Sequence, residues 1–232
     1  MPGAIILEFP LNFLGFVPGG AIPLGAAAKG MVMTLQLSLL GFGGALALGT
    51  VIALVRVSPL PPLRWIGTAY VELFRNTPLL VQLFFLFFGP VRFSSDTFEN
   101  IFRAAAVGMA LYHGAYVAEV VRGGLLGVER GQIEAARSLG LSYPQMLRFV
   151  QLPQTFRSVV PPLGNIAIAL VKNTALASTI GVAELLSAAE IVESRTFRAE
   201  ESYLAATMLF LVLTLPLGLL VNTLERRMAI AR

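Results

Sequence analysis

The residues that could carry chemistry in this 232-residue chain are few, and most of them stand inside apolar stretches. There is no cysteine and His113 is the one histidine, so cysteine or histidine metal centres and hydrolase triads lack their groups. The other polar candidates are Arg75, Asn76, Asn165, Lys172, Asn173 and Thr174. An ionisable group in an apolar stretch costs about 2.5–3.5 kcal/mol on membrane-insertion scales, so such groups usually line a transport pathway or pair internally.

Each ionisable side chain in this set has two interpretations. Arg75 follows Glu72 by three residues and could pair with it, or it could meet a substrate carboxylate, which suits a guanidinium group. Lys172 stands seven residues after Asn165 on the same helical face. It faces a pore, or it extends its ammonium group to the membrane interface. For His113 the pattern favours a packed, hydrogen-bonding role over that of a ligand.

The composition requires a membrane around these residues. Of the chain, 56% is hydrophobic and 13% charged, and its mean hydropathy is +0.77, whereas soluble domains are about 45–50% apolar and about 25% charged. A soluble chain of this length could not bury so much apolar surface. The net charge of +4 comes from basic residues that flank apolar runs and form no nucleic-acid-binding cluster. We predict an all-α integral membrane protein that binds no nucleic acid.

Five apolar runs are long enough to span a membrane, since a span needs about 20 residues. They cover about 30–55, 65–91, 104–121, 159–182 and 203–224. Residues 1–29 are predicted to be a non-spanning lead-in, and residues 229–232 a C-terminal tail. The loops after the first, third and fifth spans hold ten Arg residues, and the other side holds five Lys or Arg. Because Lys and Arg concentrate in cytoplasmic loops, the N-terminus is predicted outside and the C-terminus in the cytoplasm.

Three small residues of the first span, Gly41, Ala45 and Gly49, are spaced four apart. On a helix they form a flat strip that another helix can approach closely. General tolerance of glycine in membrane helices is the alternative explanation.

The segment 122–158 is too polar to span a membrane and too long for a plain turn. Residues 132–139 are good helix formers, and Gly140 is expected to stop that helix by taking the left-handed conformation. Ser142 and Gln145 then have the spacing of a capping box, which begins a second short helix.

Pro144 suits the first turn of that second helix, and Pro153 is predicted to end it. The segment is therefore predicted to be a helix–glycine–helix elbow on the cytoplasmic side. Its apolar residues need cover, which is either a groove on a soluble partner or the membrane surface.

The spacing within this elbow resembles the EAA loop of bacterial ABC import permeases. Glu134-Ala135-Ala136, three residues, Gly140, nine residues and Val150-Gln151-Leu152-Pro153 match that family's EAA, three residues, G, nine residues, I-x-LP, with Val150 in place of Ile. The resemblance extends over about residues 30–228. VELFRNTPLLVQLFF at 71–85 is similar to the YxELxRxTPLLVQ segment of polar amino-acid permeases, and PPLGN at 161–165 and VKNTALASTIGVAEL at 171–185 also match.

The resemblance implies a transport subunit of the bacterial cytoplasmic (inner) membrane with no catalytic site. Two permease subunits, alike or different, would form the pathway, and an extracytoplasmic amino-acid-binding protein would deliver the substrate. ATP and Mg would bind separate ATPase subunits, because this chain has no GxxxxGK(S/T) phosphate loop. The chain itself would hold no cofactor and no metal.

The resemblance also assigns the elbow its coupling residues. They are Glu134, Ala135, Ala136, Gly140, Leu152 and Pro153. In this assignment Glu134 pairs with a basic group of the ATPase and Gly140 sets the bend. The alternative for Glu134 is a solvated helix charge.

Two departures from the family bear on the substrate. The family often has Asp at the position of Asn173, and many members have Glu at the position of Ile166. Because two acidic positions suited to a cationic side chain are missing, we predict an acidic or polar-neutral amino acid rather than arginine, lysine or histidine.

Two other functions would also place polar residues in spans. An ion-coupled secondary transporter would use them as coupling groups, but such proteins often show internal repeats, and the two halves of this chain show none. A non-transporting scaffold would leave the intramembrane charges unexplained.

Overall fold

The computed structural model describes residues 24–89 and 95–228, and regular structure in these ranges is helical throughout. The predicted tail, most of the predicted lead-in and residues 90–94 lie outside the described residues. The helices are α1 Leu24–Val57, α2 Pro61–Arg75, α3 Leu79–Phe88, α4 Thr97–Leu126, α5 Arg130–Ser138, α6 Tyr143–Met146, α7 Leu152–Asn173, α8 Leu185–Thr196 and α9 Ala199–Met228. A π-helical turn, Leu147–Gln151, joins α6 to α7, and a 3-10 segment, Thr174–Ile180, follows α7.

Among the described residues, four helical stretches are long and apolar enough to cross a membrane. They are Gly25–Val57, Thr97–Leu126, Pro144–Ile180 and Ala199–Met228. Helices α2 and α3 make a fifth only when the bent pair is counted as one span. The prediction of an all-helical chain with several spans is confirmed.

The predicted second span, about 65–91, is two helices rather than one. Helix α2 begins at Pro61, where the fixed φ of proline suits the first helical turn, and it ends at Arg75. Pro78 disfavours helical backbone at the residue before it, and α3 begins only at Leu79. The hydropathy of this stretch predicts one span, but Pro78 divides it into two helices.

Other predicted boundaries also differ from the structure, two of them by more than a few residues or in kind. Helix α1 begins at Leu24, inside the predicted lead-in, where a run of alanines favours helix. The prediction that Pro153 ends the second elbow helix was wrong, because the helix continues through the π turn into α7. A π turn is wider than an α turn and displaces the carbonyl groups, and we attribute the tolerance of Pro153 to this widening.

The chain divides into two compact units. The first takes residues up to Gly41, Leu79–Met109 and Ala169–Pro216, and the second takes Phe42–Pro78, Ala110–Ile168 and residues from Leu217. The core of the first unit packs α1, α8 and α9 together through Ala27, Leu185, Ala188, Ala189, Val192, Ala206 and Leu209. The backbone N–H of Leu185 also donates to Oγ1 of Thr34, at 3.2 Å.

The core of the second unit centres on Val71, Ala115 and Ala118, from α2 and α4. A Cβ atom built on Gly49 would lie 2.6 Å from the carbonyl oxygen of Gly114, so α1 and α4 approach too closely here for a larger residue. The predicted small-residue strip on the first span therefore does pack closely.

Glu184 is a fully buried carboxyl group in the first unit, at the N-terminus of α8. Its Oε1 accepts from the backbone N–H of Ser187 at 2.8 Å, and its Oε2 has no partner among the described residues. Burial raises the pKa of Glu184 to about 7 from an ordinary 4.5; backbone hydrogen bonds from Leu186 and Ser187 oppose the shift, and the nearby Glu190 adds to it.

This burial predicts a pH-dependent stability. Between pH 4.5 and about 7 the folded protein binds more protons at Glu184 than the unfolded chain does, so stability falls as pH rises through that window. The Glu184→Gln variant keeps an oxygen for the Ser187 N–H and should lose this part of the dependence. Thermal unfolding in detergent across the window measures the effect, with Glu200→Gln, an exposed acid, as the control. An unchanged pH profile in Glu184→Gln contradicts the prediction.

Candidate functional site

The predicted coupling loop is built around a helix end with glycine geometry. Helix α5 ends at Ser138, and Gly140 takes a φ of +78°. The Leu141 N–H then donates to the carbonyl oxygen of Ala136 at 3.2 Å, which is the bond of a Schellman motif. No atom lies within 4 Å of a Cβ atom built on Gly140, so the backbone conformation rather than lack of space favours glycine there.

The second helix of the loop is capped by Gln145. Its Oε1 accepts from both the backbone N–H and the hydroxyl of Ser142, each at 2.9 Å. This is the Gln half of the predicted capping box. It fixes α6 directly after the glycine turn.

The EAA segment points partly outward. Glu134 and Ala135 are exposed, whereas Ala136 is buried. Two apolar side chains of the same loop, Leu139 and Phe149, are 82% and 63% exposed. Two further predicted coupling residues, Leu152 and Pro153, are also exposed. The loop therefore presents both a carboxylate and apolar side chains that the described part of the chain does not cover.

Glutamine side chains attach this loop to the neighbouring helices. Gln154 at the start of α7 donates to the Gln132 side chain of α5 at 2.5 Å, and Gln151 donates to the Leu125 carbonyl oxygen of α4 at 3.0 Å. Thr155 donates to the carbonyl oxygen of Gly124 at 3.2 Å. These contacts could not be predicted from the sequence, since amide side chains in a polar loop give no signal of their partners.

A cavity of about 430 Å³ opens between α4 and α7 in the second unit. Its lining includes Glu119, Gly123, Gly127, Gln154, Ser158 and Pro162. The glycines leave this part of α4 without side chains, and the cavity takes that space. It lies next to the attachment of the loop.

One carboxylate, Glu119 of α4, joins three arginines in the second unit, and we call these four residues the Glu119 cluster. Arg56 of α1 contacts its Oε1 at 2.5 Å, and Arg122 contacts its Oε2 at 3.0 Å. Arg75 of α2 stands farther away, at 3.6 Å from Oε1. The sequence analysis did not identify Glu119, because its partners lie on three different helices.

Arg75 does not pair with Glu72, which was one of its two interpretations. Glu72 Oε2 instead accepts from the side chain of Asn76 at 2.8 Å. The Arg75 guanidinium lies over the Tyr116 ring, 5.3 Å from its centroid. The hydroxyls of Tyr116 and Tyr112 lie 3.1 Å apart.

The other predicted pathway residues differ in exposure. His113 is 2% exposed and stands edge-on to the Tyr112 ring, which agrees with the packed role. Thr174 is fully buried and donates to the Val171 carbonyl oxygen. Asn165 and Lys172 are exposed along α7.

The seven predicted pathway residues are divided between the units. Arg75, Asn76, His113 and Asn165 belong to the second unit, and Lys172, Asn173 and Thr174 belong to the first. The structure thus brings together Arg75 with Glu119 and Tyr116, two residues that the sequence analysis had not named. Across the described ranges, no group of three or more His, Cys, Asp or Glu side chains could hold a metal ion.

These features are those of a multi-span helical membrane protein with charged side chains inside its helical stretches and an exposed polar elbow. The family described as "Binding-protein-dependent transport system inner membrane component" matches residues 45–230. The chain belongs to this family of membrane transport subunits.

Individual relatives cover nearly the whole chain. It is 38% identical over 199 residues to the probable glutamine ABC transporter permease protein GlnM of Bacillus subtilis, covering 86% of this chain and 91% of that protein. It is 40% identical over 211 residues to the glutamate transport system permease protein GluC of Corynebacterium efficiens, covering 86% and 92%. A crystal structure of an amino acid ABC transporter with histidines matches with a TM-score of 0.80 and 35% identity, over 88% of this chain and 94% of that one.

The Glu119 cluster predicts a large cost for neutralising its carboxylate. Glu119→Gln leaves the Arg56 side chain, which is only 10% exposed, without its charge partner. Removing one member of a fully buried pair costs about 3–5 kcal/mol. Because the Glu119 side chain is 23% exposed, we expect a loss of about 1.5–3 kcal/mol, the range for hydrogen bonds to charged groups. The matched control is Glu99→Gln, because Glu99 and Arg103 form an exposed i,i+4 pair of a kind worth about 0.3–0.5 kcal/mol. Thermal unfolding of both variants in detergent measures the difference, and equal losses contradict the prediction.

Proposed function

We propose that this chain is the permease subunit of an ATP-driven amino-acid importer in the bacterial cytoplasmic membrane. The observation that carries the proposal is the exposed elbow of a chain whose family transports with a binding protein. The chain forms the translocation pathway together with a second permease subunit, and ATP and Mg bind to separate ATPase subunits. The N-terminus lies outside and the C-terminus in the cytoplasm, which places the elbow where ATP is available.

The elbow couples the permease to the ATPase. Glu134 and Ala135 stand on the open side of α5, and Leu139 and Phe149 leave apolar surface beside them. An ATPase groove with a basic group complements this combination, since short helices bind grooves by their apolar side chains. Gly140 fixes the bend, and Leu152 and Pro153 mark the point at which the elbow enters α7.

The exposed polar residues of α7 support a pathway or a subunit interface. Asn165 and Lys172 lie on one helical stretch that is long enough to cross a membrane. A charge that faces hydrocarbon is costly, and such residues usually face a bundle interior or a water-filled cavity. A second permease subunit and the pathway between the two subunits supply that environment. An extracytoplasmic amino-acid-binding protein delivers the substrate to it.

The substrate is an acidic or polar-neutral amino acid, with glutamate and glutamine the first candidates. Relatives at 38–40% identity carry glutamine and glutamate in their names. This chain has Asn173 and Ile166 where a cationic substrate would favour acidic side chains. The pathway residues Arg75, Asn76, His113 and Thr174 remain part of the proposal. Arg75 and Asn76 are exposed and would face the pathway, whereas His113 and Thr174 are buried and would hold the neighbouring helices in place.

Co-purification tests the coupling role. The tagged chain, extracted in a mild detergent, should carry an ATP-binding subunit with it, and Glu134→Arg should lose that subunit because the charge is reversed at the contact. Glu225→Arg, an exposed reversal on the last turn of α9, is the matched control and should keep the subunit. Equal recovery with both variants overturns the role of Glu134. A wild-type chain that purifies alone under several mild conditions favours ion-gradient transport instead.

Substrate class is tested in proteoliposomes that contain the complete transporter. Glutamine or glutamate, loaded on the binding protein, should stimulate ATP hydrolysis and be accumulated inside. Arginine, lysine and histidine should do neither. A transporter stimulated by arginine alone contradicts the substrate assignment and leaves the permease role intact.

A further inference from the structure

Arg75 carries a guanidinium group that the described chain leaves mostly uncommitted. A guanidinium has five N–H donors, and the charged partner of Arg75 is Glu119 Oε1, at 3.6 Å. Its other contact is with the face of the Tyr116 ring. The side chain is 42% exposed. The group is therefore accessible, charged and short of acceptors.

The Glu119 carboxylate is already used by two other arginines. Oε1 accepts from Arg56 at 2.5 Å, and Oε2 accepts from Arg122 at 3.0 and 3.3 Å. Three guanidinium groups around one carboxylate leave a net local charge of 3 − 1 = +2. Glu72, three residues before Arg75 in the sequence, accepts from the side chain of Asn76 instead. The cluster thus has an excess positive charge, and Arg75 is the member that exposes it.

Arg75 is also the last residue of α2, directly before the non-helical residues 76–78. Asn76 and Pro78 are exposed in the described part of the chain. In transporters, broken helices are a common place for substrate groups to bind.

We infer that Arg75, whose guanidinium lies over the Tyr116 ring, binds the α-carboxylate of the transported amino acid. This inference rests on the proposed function and names the part of the substrate that the site takes. A guanidinium group matches a carboxylate with two parallel N–H···O bonds, and stacking on an aromatic ring fixes its plane. Arg56 and Arg122 act as positioning residues, because they neutralise Glu119 and keep Arg75 from closing onto it.

The α-carboxylate is the group that glutamate and glutamine share, so one arginine serves both substrates. The side chains of these two substrates differ in charge, so other residues of the transporter must recognise them. The site therefore contributes affinity for amino acids as a class and does not discriminate between these two.

Direct binding to the permease–ATPase complex in nanodiscs, without the binding protein, tests the site. The probes are radiolabelled L-glutamine and L-glutamate, and the competitors are the same amino acids with the α-carboxylate converted to an amide. We expect binding that the amides do not displace, and an affinity about tenfold or more weaker in Arg75→Gln. Tyr116→Leu, which removes the ring under Arg75, should also weaken binding.

Arg103→Gln is the matched control, because Arg103 is an exposed arginine already paired with Glu99. Size-exclusion chromatography checks that each variant complex is assembled, and Arg75→Lys, which keeps the charge without the flat fork, should bind with intermediate affinity. Binding that is equal in Arg75→Gln and Arg103→Gln, or amides that compete as well as the amino acids, overturns the site. So does a loss of subunit assembly in Arg75→Gln with ligand affinity unchanged, which would assign Arg75 to a carboxylate of another subunit.

The outcomes separate this inference from the proposed function. Proteoliposome uptake that is ATP-dependent in the wild type and unaffected by Arg75→Gln leaves the importer role standing and removes the site. A wild-type complex with neither uptake nor binding overturns both.

Discussion

Hydrocarbon offers no hydrogen-bond partner, and most of this structure follows from that constraint. Every backbone N–H and C=O group at membrane depth must be satisfied within the protein, which leaves helices as the usable elements for a chain of this kind. The described residues agree with this constraint, because most of them lie in helical stretches of 30 to 37 residues. Residues 76–78, where helix stops between α2 and α3, directly follow Arg75, to which we assign a function.

The same constraint applies to charge. Arg56 is nearly buried and is tolerated because Glu119 accepts from it. Glu184 is buried, with no ion pair to a cation among the described residues, and its pKa is raised. The pairing of Arg56 with Glu119 joins two helices, whereas the proton affinity of Glu184 is set by burial and by groups of its own helix α8. Single substitutions at Glu119 and Glu184 should therefore have effects that differ from those at exposed acids.

Hydropathy and spacing were enough to predict the helical class, most of the spans and the glycine turn of the elbow, since each depends on residues close together in the sequence. The break at Pro78 could have been predicted from the proline itself, but the apolar residues on either side favoured a single continuous span. The continuation of helix through Pro153 could not be predicted from the sequence, because it depends on a π turn that no local sequence pattern indicates. The Glu119 cluster was missed for a different reason: its members come from α1, α2 and α4, and a sequence without contacts gives no means of joining residues 56, 75 and 119.

Helix α7, which continues the elbow, has a mechanical consequence within the second unit. The part of α7 that belongs to this unit, residues 152–168, is about 25 Å long at 1.5 Å per residue. A tilt of about 5° around its midpoint would displace each end by roughly 1 Å. A movement of that size at the elbow end is small enough to arise from closure of a bound partner, and the helix would carry it to the other end of this segment. Pro161 and Pro162, near the midpoint, interrupt backbone hydrogen bonding where such a lever would need its fulcrum.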